Sequence, residues 1–591
     1  MALIGIDLGT TNSLVAVWKD DKVGLLKNSL GNVLTPSVVS LNDDGRNILV
    51  GEVARQRRVS HPGLTVAEFK RTMGTPKQYK LGNAQYSSED LSAFLLKKLV
   101  ADASEQLGEP VTEAVISVPA YFDDNQREAT KLAAKIAGIQ VKRLVNEPSA
   151  AVLYYQWKNN SEHPDGIYIV IDFGGGTLDI SVVDCFENII EIIAVAGDNQ
   201  LGGKDFDREI ALDFCERNNI DFNSLDNMAQ QNIIWAAENV KKLLSHENSA
   251  NMHVNIKGTS YDLVYTTEYL LEACAKVLGR IKNIINDALN GANISIQQIA
   301  DVILVGGSCK MPVVQKYLSA LFHRNITADD DIDNYVALGT GVLTGIINRD
   351  EHVRDIVMTD VCPFSLGIGT HSNENSPVYM SVIIPKNSIL PISKSAFYSG
   401  LRPFQDAIGF EVYQGEEMMA DSNLSLGKFA LNVTPDEEGN TTIQVTFTYD
   451  INGILQVEAR DLHSDNKIEG TILNKNSHLN SSDVEQKRMA MNNKMNQMVL
   501  EKDKEENRNI MAWAERLHAQ ADEEYKHKII GTISSFATAL ESNNIAQIAR
   551  AKKDVFKNLL LLECVINRNH FDEEDIIGQM LNDIHTEDND E

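Results

Sequence analysis

The stretch Val170-Ile171-Asp172-Phe173-Gly174-Gly175-Gly176-Thr177-Leu178-Asp179-Ile180-Ser181 predicts a strand, a tight turn and a second strand. Glycine has no Cβ, so three successive glycines let backbone N–H groups approach a phosphate closely. Thr177 adds a hydroxyl beside them, and Asp172 and Asp179 offer hard oxygen ligands of the kind that hold Mg²⁺, directly or through its waters. The stretch therefore predicts a phosphate-binding hairpin with a metal site.

A second copy of this pattern opens the chain. The run Leu3-Ile4-Gly5-Ile6-Asp7-Leu8-Gly9-Thr10-Thr11-Asn12-Ser13 has the same order of apolar strand, acid, glycine and hydroxyls. Two related phosphate hairpins predict a duplicated α/β domain that holds a nucleotide between its halves. The alternative interpretation is two unrelated glycine-containing hairpins. That interpretation is reasonable for either copy alone, but it is much weaker for two copies with the same order of residues.

The totals indicate a multidomain globular protein. The chain has 591 residues, of which 43% are hydrophobic and 23% are charged, and that length is too great for one domain. Its 54 basic and 83 acidic residues give a formal net charge of −29. This balance disfavours a general nucleic-acid binder, which needs a basic face, although it leaves room for a local basic patch.

The cysteines and the N-terminus bear on the compartment. The six cysteines are scattered without a C-x-x-C pair, which favours a reduced, cytoplasmic environment. The chain enters a strand at once and has no basic segment before an apolar one, so no signal peptide is expected. No apolar run reaches the length of a membrane span, so no membrane partner is expected.

Four regions follow from the patterning along the chain. Residues 1–352 alternate strands with helical stretches, which indicates α/β layers, and a helix is predicted from Asp124 to Ala137, ended by Gly138. Residues 353–361 form an apolar linker, which either docks on a neighbour or is an edge strand of one. Residues 362–480 alternate in the way of an antiparallel β-sandwich. Residues 481–591 are helical, with a helix predicted over 510–526 and an acidic tail at 587–591.

Several other residues are candidates for chemistry. Glycine-rich turns at 198–207 and 305–308 each precede a helix or follow a strand, as in anion or nucleoside sites. Neither a P-loop nor a Rossmann fingerprint is present in context. Lys70 could neutralise charge on a γ-phosphate, although a solvated surface lysine is the better interpretation of the residue alone. Glu147 is either an orienter of water or metal, or an acid that begins a helix.

Taken together, these motifs resemble the DnaK-type heat-shock chaperones over nearly the whole chain. The matching strings are 4–13, Val118-Pro119-Ala120-Tyr121-Phe122, Asn146-Glu147-Pro148, 172–179, Val305-Gly306-Gly307-Ser308, Pro363-Phe364-Ser365-Leu366-Gly367-Ile368 and Tyr413-Gln414-Gly415-Glu416. Within that family the chain resembles the HscC subgroup, on the strings 69–74 and 359–363 and on a shortened stretch between Gly74 and Ile116. The resemblance implies an actin-like ATPase domain, a β-sandwich and an α-helical lid.

The resemblance also implies ATP or ADP and Mg²⁺ as cofactors. Asp7 and Asp172 would hold the Mg²⁺ shell, and Lys70, Glu147, Asp172 and Thr177 would surround the attacking water. The residues that would bind the phosphates are Gly9, Thr10, Thr11, Asn12, Gly174, Gly175, Gly176 and Thr177. The residues on the nucleoside side would be Gly202, Gly203, Glu238, Lys241, Lys242, Ser245, Gly306, Gly307, Ser308, Lys310 and Asp333.

The partners follow from the same resemblance. Extended apolar segments of unfolded clients would bind the sandwich at Ile368, Tyr398, Ile408 and Phe410, with His371 and Leu401 arching over the peptide backbone. A J-domain co-chaperone would dock at Arg143, Asn146 and Asp360. A nucleotide-exchange factor is a further expected partner, and the chain is expected to act as a monomer.

The chain departs from the family pattern at several positions. Lys242 and Lys310 stand where many relatives carry arginines that stack on adenine, and lysine stacks less well. The shortened stretch after Gly74 removes a surface that relatives use with nucleotide-exchange factors, so the usual exchange factor is not expected to fit. His371 at the arch alters the surface that a peptide meets.

The function that these features predict is an ATP-dependent molecular chaperone, in which ATP binding and hydrolysis control the binding and release of extended peptides. A sugar or glycerol kinase and an actin-like filament former share the duplicated nucleotide fold, but neither explains the linker, sandwich and lid. A holdase or exchange partner of another chaperone, with a purely structural ATPase domain, is the nearest alternative. ATP turnover with and without a J-domain protein would separate these.

Overall fold

The computed structural model describes residues 2–158, 165–256, 258–329, 331–371, 376–439, 441–471, 481–495, 504–542 and 544–567. The chain forms two compact units. The first unit comprises Met1–Gly51, Val66–Asp205 and Ala275–Asn496, and the second comprises Glu52–Thr65, Phe206–Cys274 and Gln497–Glu591. The acidic tail at 587–591 and the predicted boundary at 480 lie outside the described residues, and the predicted domain limits remain a prediction.

The N-terminal part of the chain contains strands and helices in alternation. Its strands are β1 (Ala2–Asp7), β2 (Asn12–Lys19), β3 (Lys22–Leu26), β4 (Thr35–Pro36), β5 (Val38–Leu41), β6 (Ile48–Val50), β7 (Thr65–Ala67), β8 (Gln78–Leu81), β9 (Ala84–Ser87), β10 (Val111–Val118), β11 (Gln140–Asn146), β12 (Gly166–Phe173), β13 (Leu178–Phe186) and β14 (Ile189–Asp198). Its helices are α1 (Glu52–Ser60), α2 (Ser88–Leu107), α3 (Asp124–Ala137) and α4 (Glu147–Lys158).

The middle of the chain is richer in helix. Its helices are α5 (Gly203–Arg217), α6 (Asn227–Leu243), α7 (Thr267–Ala273), α8 (Ala275–Ala292), α9 (Pro312–Phe322) and α10 (Tyr335–Ile347). Its strands are β15 (Ser249–Ile256), β16 (Thr259–Thr266), β17 (Ile299–Val305) and β18 (Val357–Val361).

Two sheets of the first unit repeat one pattern. The first has the order β11-β10-β1-β2-β3, and the second has the order β17-β12-β13-β14-β18-β21. In each, the strand that ends in the phosphate motif runs parallel to one neighbour and antiparallel to the other: β1 between β10 and β2, and β12 between β17 and β13. This repeat places both phosphate motifs at the ends of equivalent strands, as the duplicated sequence pattern predicts.

The sandwich lies in the first unit as well. Its strands are β19 (Leu366–Thr370), β20 (Tyr379–Ile384), β21 (Ile389–Leu390), β22 (Ile392–Ser399), β23 (Ala407–Gln414), β24 (Leu424–Asn432), β25 (Thr442–Tyr449), β26 (Leu455–Asp461) and β27 (Lys467–Thr471). One sheet has the order β20-β19-β23-β24 and the other β22-β25-β26-β27. Alternate residues of both sheets, such as Val412 and Phe447, form one apolar core between them.

The C-terminal helices are α11 (Ser481–Met495), α12 (Glu505–Gln520), α13 (Glu523–Glu541) and α14 (Ile545–Ile566). In the second unit, α12, α13 and α14 pack around an apolar core that includes Leu517, Phe536 and Leu559. The predicted helix over 510–526 is wrong at its end, because the chain leaves the helix at Ala521 and Asp522 becomes the N-cap of α13. None of the helices in the described ranges combines the length and apolar character that a membrane span requires.

Candidate functional site

The two phosphate hairpins face each other in the first unit. A Cβ built on Gly175 would lie 1.8 Å from Thr11 Oγ1, and one built on Gly176 would lie 2.4 Å from Thr10 Cγ2. No side chain fits in such a space, so glycine is required at both positions by the approach of the opposite hairpin. The sequence pattern therefore brings Thr10 and Thr11 directly against the glycine turn.

The glycine turn is also held from behind by backbone hydrogen bonds. The N–H of Gly203 donates to Gly174 O at 3.0 Å, and the N–H of Lys204 donates to Gly175 O at 2.9 Å. Gly203 is the first residue of α5, so that helix begins against the turn. On another side, Ser308 Oγ donates to Gly174 O at 2.7 Å. The turn is thus fixed before any ligand binds, as a phosphate cradle requires.

Four buried acids lie behind the hairpins together with one lysine. Burial, with Glu147 adding to it, raises the pKa of Asp7 to about 7 and that of Asp179 to about 7. The pKa of Asp172 is likewise raised well above its ordinary value by burial and by Glu147. Lys70 Nζ pairs with Glu147 Oε1 at 2.5 Å. One lysine among four carboxyls leaves an excess of negative charge that favours a bound cation.

Three buried polar atoms of the phosphate site indicate which ligands the site would bind. Within the described residues, Thr11 Oγ1, Asp172 Oδ2 and Asp179 Oδ2 are buried without a hydrogen-bond partner. Buried polar atoms without a partner are costly in a stable fold. Carboxylate oxygens suit Mg²⁺ and a hydroxyl suits a phosphate oxygen, so the residues present fit a magnesium–phosphate ligand.

Lys70 is not a solvated surface lysine. Its residue surface is only 4% exposed, and its ammonium also lies 5.7 Å from the centre of the Phe122 ring. The surface interpretation of this residue is therefore wrong. Glu147 is the first residue of α4, and it is buried and paired with Lys70, so both sequence interpretations of Glu147 describe it in part.

Sequence reasoning missed the roles of two residues that hold the site. Arg71 donates from Nε to Gly176 O at 3.0 Å and from Nη2 to Asp205 Oδ2 at 2.6 Å, and so fastens the glycine turn. Ser117 Oγ donates to Asp7 Oδ1 at 2.8 Å. Ser117 lies at the end of β10, next to β1, and a polar residue in that buried run was the signal that could have identified it.

The nucleoside-side residues divide between the two units. In the first unit, Lys310 Nζ pairs with Asp333 Oδ2 at 2.6 Å. Gly306 has φ +81°, a left-handed conformation that favours glycine, and a Cβ on Gly307 would lie 2.8 Å from Asp333 Oδ1. Gly202 also excludes a side chain, since its Cβ would lie 2.4 Å from Gly176 N.

In the second unit, the predicted residues lie on and just after α6. Glu238 Oε1 pairs with Lys242 Nζ at 2.8 Å, and Glu238 Oε2 lies 3.6 Å from Arg58 Nη1 of α1. Lys241 Nζ pairs with Asp207 Oδ1 at 2.6 Å. Ser245 Oγ donates to the Lys241 carbonyl at 3.5 Å. These contacts form two groups: Glu238 with Lys242 and Arg58, and Lys241 with Asp207 and Ser245.

A comparison with protein-family models decides the family. The model described as Hsp70 protein matches residues 3–81 and 77–563. The chain belongs to the Hsp70 family. Members of this family are ATP-dependent chaperones that hydrolyse ATP with Mg²⁺ and bind unfolded polypeptides and J-domain partners. The actin-like ATPase fold, β-sandwich and helical lid of this family account for the sheets and helices described above.

The residues predicted to bind peptide in this Hsp70 family member separate into two groups. Ile368, Ile408 and Phe410 are buried in the sandwich core, and Tyr398 packs against that core from the opposite sheet. His371 and Leu401 are exposed, with Leu401 48% accessible. The structure thus brings the four predicted pocket residues together and places the two arch residues at the surface.

The residues predicted to meet a J-domain lie near the linker strand. Asp360 Oδ2 accepts from Ser149 Oγ at 3.1 Å, and Asn146 Oδ1 accepts from Arg127 Nη2 at 2.7 Å. Burial lowers the pKa of Arg143, and the carboxylate of Asp360 opposes that shift. Asn146 and Asp360 are buried, so of the three only Arg143 has partial access to solvent.

Proposed function

We propose that this chain is an ATP-dependent chaperone in which ATP binding and hydrolysis control the binding and release of extended apolar peptide segments. The proposal takes the phosphate hairpins as the ATP site and the sandwich residues Ile368, Tyr398, Ile408 and Phe410 as the peptide site. The nearest alternative, a holdase with a structural ATPase domain, gives no role to the buried pair of Lys70 and Glu147.

The chain's own residues would act on the terminal phosphate in distinct ways. Asp7 and Asp172 would hold Mg²⁺, which would supply positive charge to the phosphate oxygens. Lys70, held at 2.5 Å by Glu147, presents an ammonium to the charge that develops during hydrolysis. Glu147 would orient a water through its other oxygen. Thr10, Thr11 and the N–H groups of the glycine turn would hold the phosphates.

One observation carries the coupling between the two sites. Strand β18, which lies in the predicted linker, pairs in parallel with β14 through Val357 and Met358, opposite Ile189 and Ile190. Its other end pairs antiparallel with β21 through Asp360 and Val361. A single strand is thus hydrogen-bonded to the nucleotide sheet and to a strand that leads into the sandwich. An added strand of this kind can transmit a change from one domain to the other.

Further features of the proposal rest on the resemblance alone. We assign the chain to the HscC subgroup because of the strings at 69–74 and 359–363 and the shortened stretch after Gly74. A J-domain co-chaperone is the proposed partner at Arg143, Asn146 and Asp360, in a cytoplasmic setting. The reduced surface after Gly74 favours a chain that either needs no exchange factor or uses one of unusual shape.

The test of the proposal is peptide release from a double variant, Val357→Asp with Met358→Asp. Two carboxylates in the β14–β18 pairing should disfavour the docked strand. In the wild-type chain, ATP should accelerate dissociation of a fluorescent apolar peptide at least tenfold, and in the double variant this acceleration should vanish. Because coupling between binding sites is reciprocal, peptide should also lose its effect on ATP affinity.

The matched control is Val357→Thr with Met358→Gln, which keeps the strand and adds no charge. This control should retain most of the acceleration, and both variants should still bind peptide without nucleotide. A double aspartate variant with the full ATP-driven acceleration would show that the linker is only a tether. If ATP does not change the rate of peptide dissociation from the wild-type chain, the proposed function itself is contradicted.

A further inference from the structure

Helix α12 lies against α1 and α6 in the second unit, and one arginine joins all of them. Arg516 is only 2% exposed. Its Nε donates to Gln56 Oε1 of α1 at 2.6 Å, and its Nη2 donates to Glu563 Oε1 of α14 at 2.5 Å. Its guanidinium lies 4.7 Å from the centre of the Trp235 ring of α6. A lid residue is therefore bound to two helices outside the lid.

Neighbouring contacts reinforce this junction. Arg516 Nη1 donates to Gln520 Oε1 at 2.8 Å, and Gln520 Nε2 in turn donates to Asn232 Oδ1 of α6 at 3.2 Å. Arg55 of α1 lies 5.6 Å from the centre of the Trp235 ring. Cation–π contacts that are shielded from water are stronger than exposed ones. A buried guanidinium whose partners are removed is left at a high free-energy cost, so the junction depends on all its members.

The junction is built so that it can separate. Gln56 and Arg516 lie 460 residues apart in sequence, and their contact is polar. Polar interfaces between parts of a chain resemble transient protein–protein interfaces more than they resemble a core. When the helices part, water can replace the hydrogen bonds of Arg516, which an apolar core would not allow at similar cost. This junction is therefore polar, in contrast to the apolar core that joins α12 to α13 and α14.

Helix α6 carries the predicted nucleoside residues of this unit. Trp235 and Glu238 are three residues apart, which places them on the same side of the helix. Glu238 contacts Arg58 of α1 and Lys242 of its own helix. The residue that meets the lid and the residues that would meet the nucleoside are therefore fixed by the same pair of helices, α1 and α6.

We propose that Arg516 is a positioning residue for the nucleotide: while α12 is docked, it holds α6 against α1 and thereby slows the release of ATP. This inference rests on the proposed function, since it takes Glu238, Lys241 and Lys242 as nucleoside residues. It adds that the lid itself retains ATP, so that ATP release requires the lid to leave. Such retention would keep ATP in place for as long as α12 stays docked.

The test compares the dissociation of fluorescently labelled ADP and of a labelled, slowly hydrolysed ATP analogue from the full chain. Arg516→Ala should speed release of the ATP analogue roughly fivefold or more, the lower range for coupling between sites. Release of ADP should change little, because this inference takes α12 to be docked while ATP is bound and separated while ADP is bound. The matched control is Arg550→Ala, an exposed arginine of α14, which should leave both rates unchanged.

Further variants separate positioning from a general loss of structure. Arg516→Lys keeps the charge but loses the forked donors, and should show a smaller acceleration in the same direction. If Arg516 acts through Trp235, adding Arg516→Ala to Trp235→Leu should not accelerate release further. Equal acceleration of ADP and the ATP analogue, or no acceleration of either, would overturn the inference. A wild-type chain that binds neither nucleotide would instead contradict the proposed function.

Discussion

Buried carboxyls occur in two regions of the first unit, and their surroundings differ. At the phosphate site, the pKa of Asp7 and that of Asp179 are raised to about 7 by burial and by Glu147. Where α3 meets the sandwich, burial raises the pKa of Asp124 to about 7 as well. Asp124 Oδ1 accepts from the hydroxyl of Tyr449 at 2.7 Å, and Gln414 Nε2 lies 3.4 Å from the same atom.

A raised pKa of similar size therefore has different causes in the two regions. At the phosphate site several acids converge on a single lysine, so the negative charge of each raises the pKa of the others. A divalent cation would offset the repulsion among all these carboxylates at once, as expected of a metal-binding site. Asp124 instead accepts hydrogen bonds from the neutral side chains of Tyr449 and Gln414, and binding one proton removes the cost of burying its charge. The first region is therefore expected to respond to metal and nucleotide, and the second to pH.

The largest expected effect that tests this comparison is that of Asp172→Asn on hydrolysis. Removing one carboxylate charge from the metal site should cost about 3 kcal/mol of transition-state stabilisation, a loss of roughly hundredfold in rate. The same isosteric change at Asp124 should leave the hydrolysis step within about twofold, because no phosphate ligand lies there. Single-turnover hydrolysis of ATP in the two variants measures both effects. Equal losses would contradict the assignment of the phosphate site.

A second, smaller effect concerns the backbone of the phosphate site. A Cβ on Gly176 would lie 2.4 Å from Thr10, whereas one on Gly174 would meet its nearest atom only at 3.9 Å. Gly176→Ala should therefore lower the free energy of unfolding by about 1–3 kcal/mol, the usual range for overpacking. Gly174→Ala is the matched control and should be nearly neutral.

The measurement is thermal unfolding of both variants without nucleotide, so that any clash with a ligand plays no part. If both variants unfold at the wild-type temperature, the hairpins do not approach each other as closely as described. If both are destabilised alike, the turn is sensitive to any side chain, and the specific contact between Thr10 and Gly176 is not its cause.

Local signals in the sequence predicted the elements whose cause is local. The predicted helix from Asp124 to Ala137 has these bounds in the structure, because Asp123 caps its start and Gly138 ends it at φ +83°. The lid helix predicted over 510–526 ends earlier, at Gln520. Its apolar periodicity continues through Ala521, but Asp522 begins a new helix there and accepts a hydrogen bond from Asn255. That partner is distant in sequence, so the break could not be read from the pattern.

The chemistry of the site shows the same limit. The glycine and threonine motifs predicted the two hairpins, since each motif is contiguous. The state of Lys70 depends on Glu147, which lies 77 residues later, and a lone lysine gives no sign of such a partner. The role of Arg71 depends in the same way on Gly176, 105 residues later. Burial and pairing across such separations are properties of the fold and not of any short stretch.

The smallest expected effect tests the second region, through pH. The pKa of Asp124 is raised from 3.8 to about 7 when the sandwich is docked, so the docked state binds a proton that the separated state releases. Docking is therefore favoured at low pH, weakens by up to about tenfold per unit as pH rises toward 7, and is constant above that. The ATP-driven acceleration of peptide release should accordingly be larger at pH 6 than at pH 8.

Two variants test whether Asp124 is the group that carries this pH dependence. Asp124→Asn cannot ionise, so its acceleration should lose the change between pH 6 and pH 8. Burial raises the pKa of Asp124 most, and the charges of Asp123 and Glu128 raise it further. The hydrogen bond from the Tyr449 hydroxyl and the charge of Arg127 lower it. Tyr449→Phe should therefore raise that pKa further and move the loss of docking to higher pH. A wild-type profile that Asp124→Asn reproduces would show that another group carries the pH dependence, and that the proton at Asp124 does not control docking.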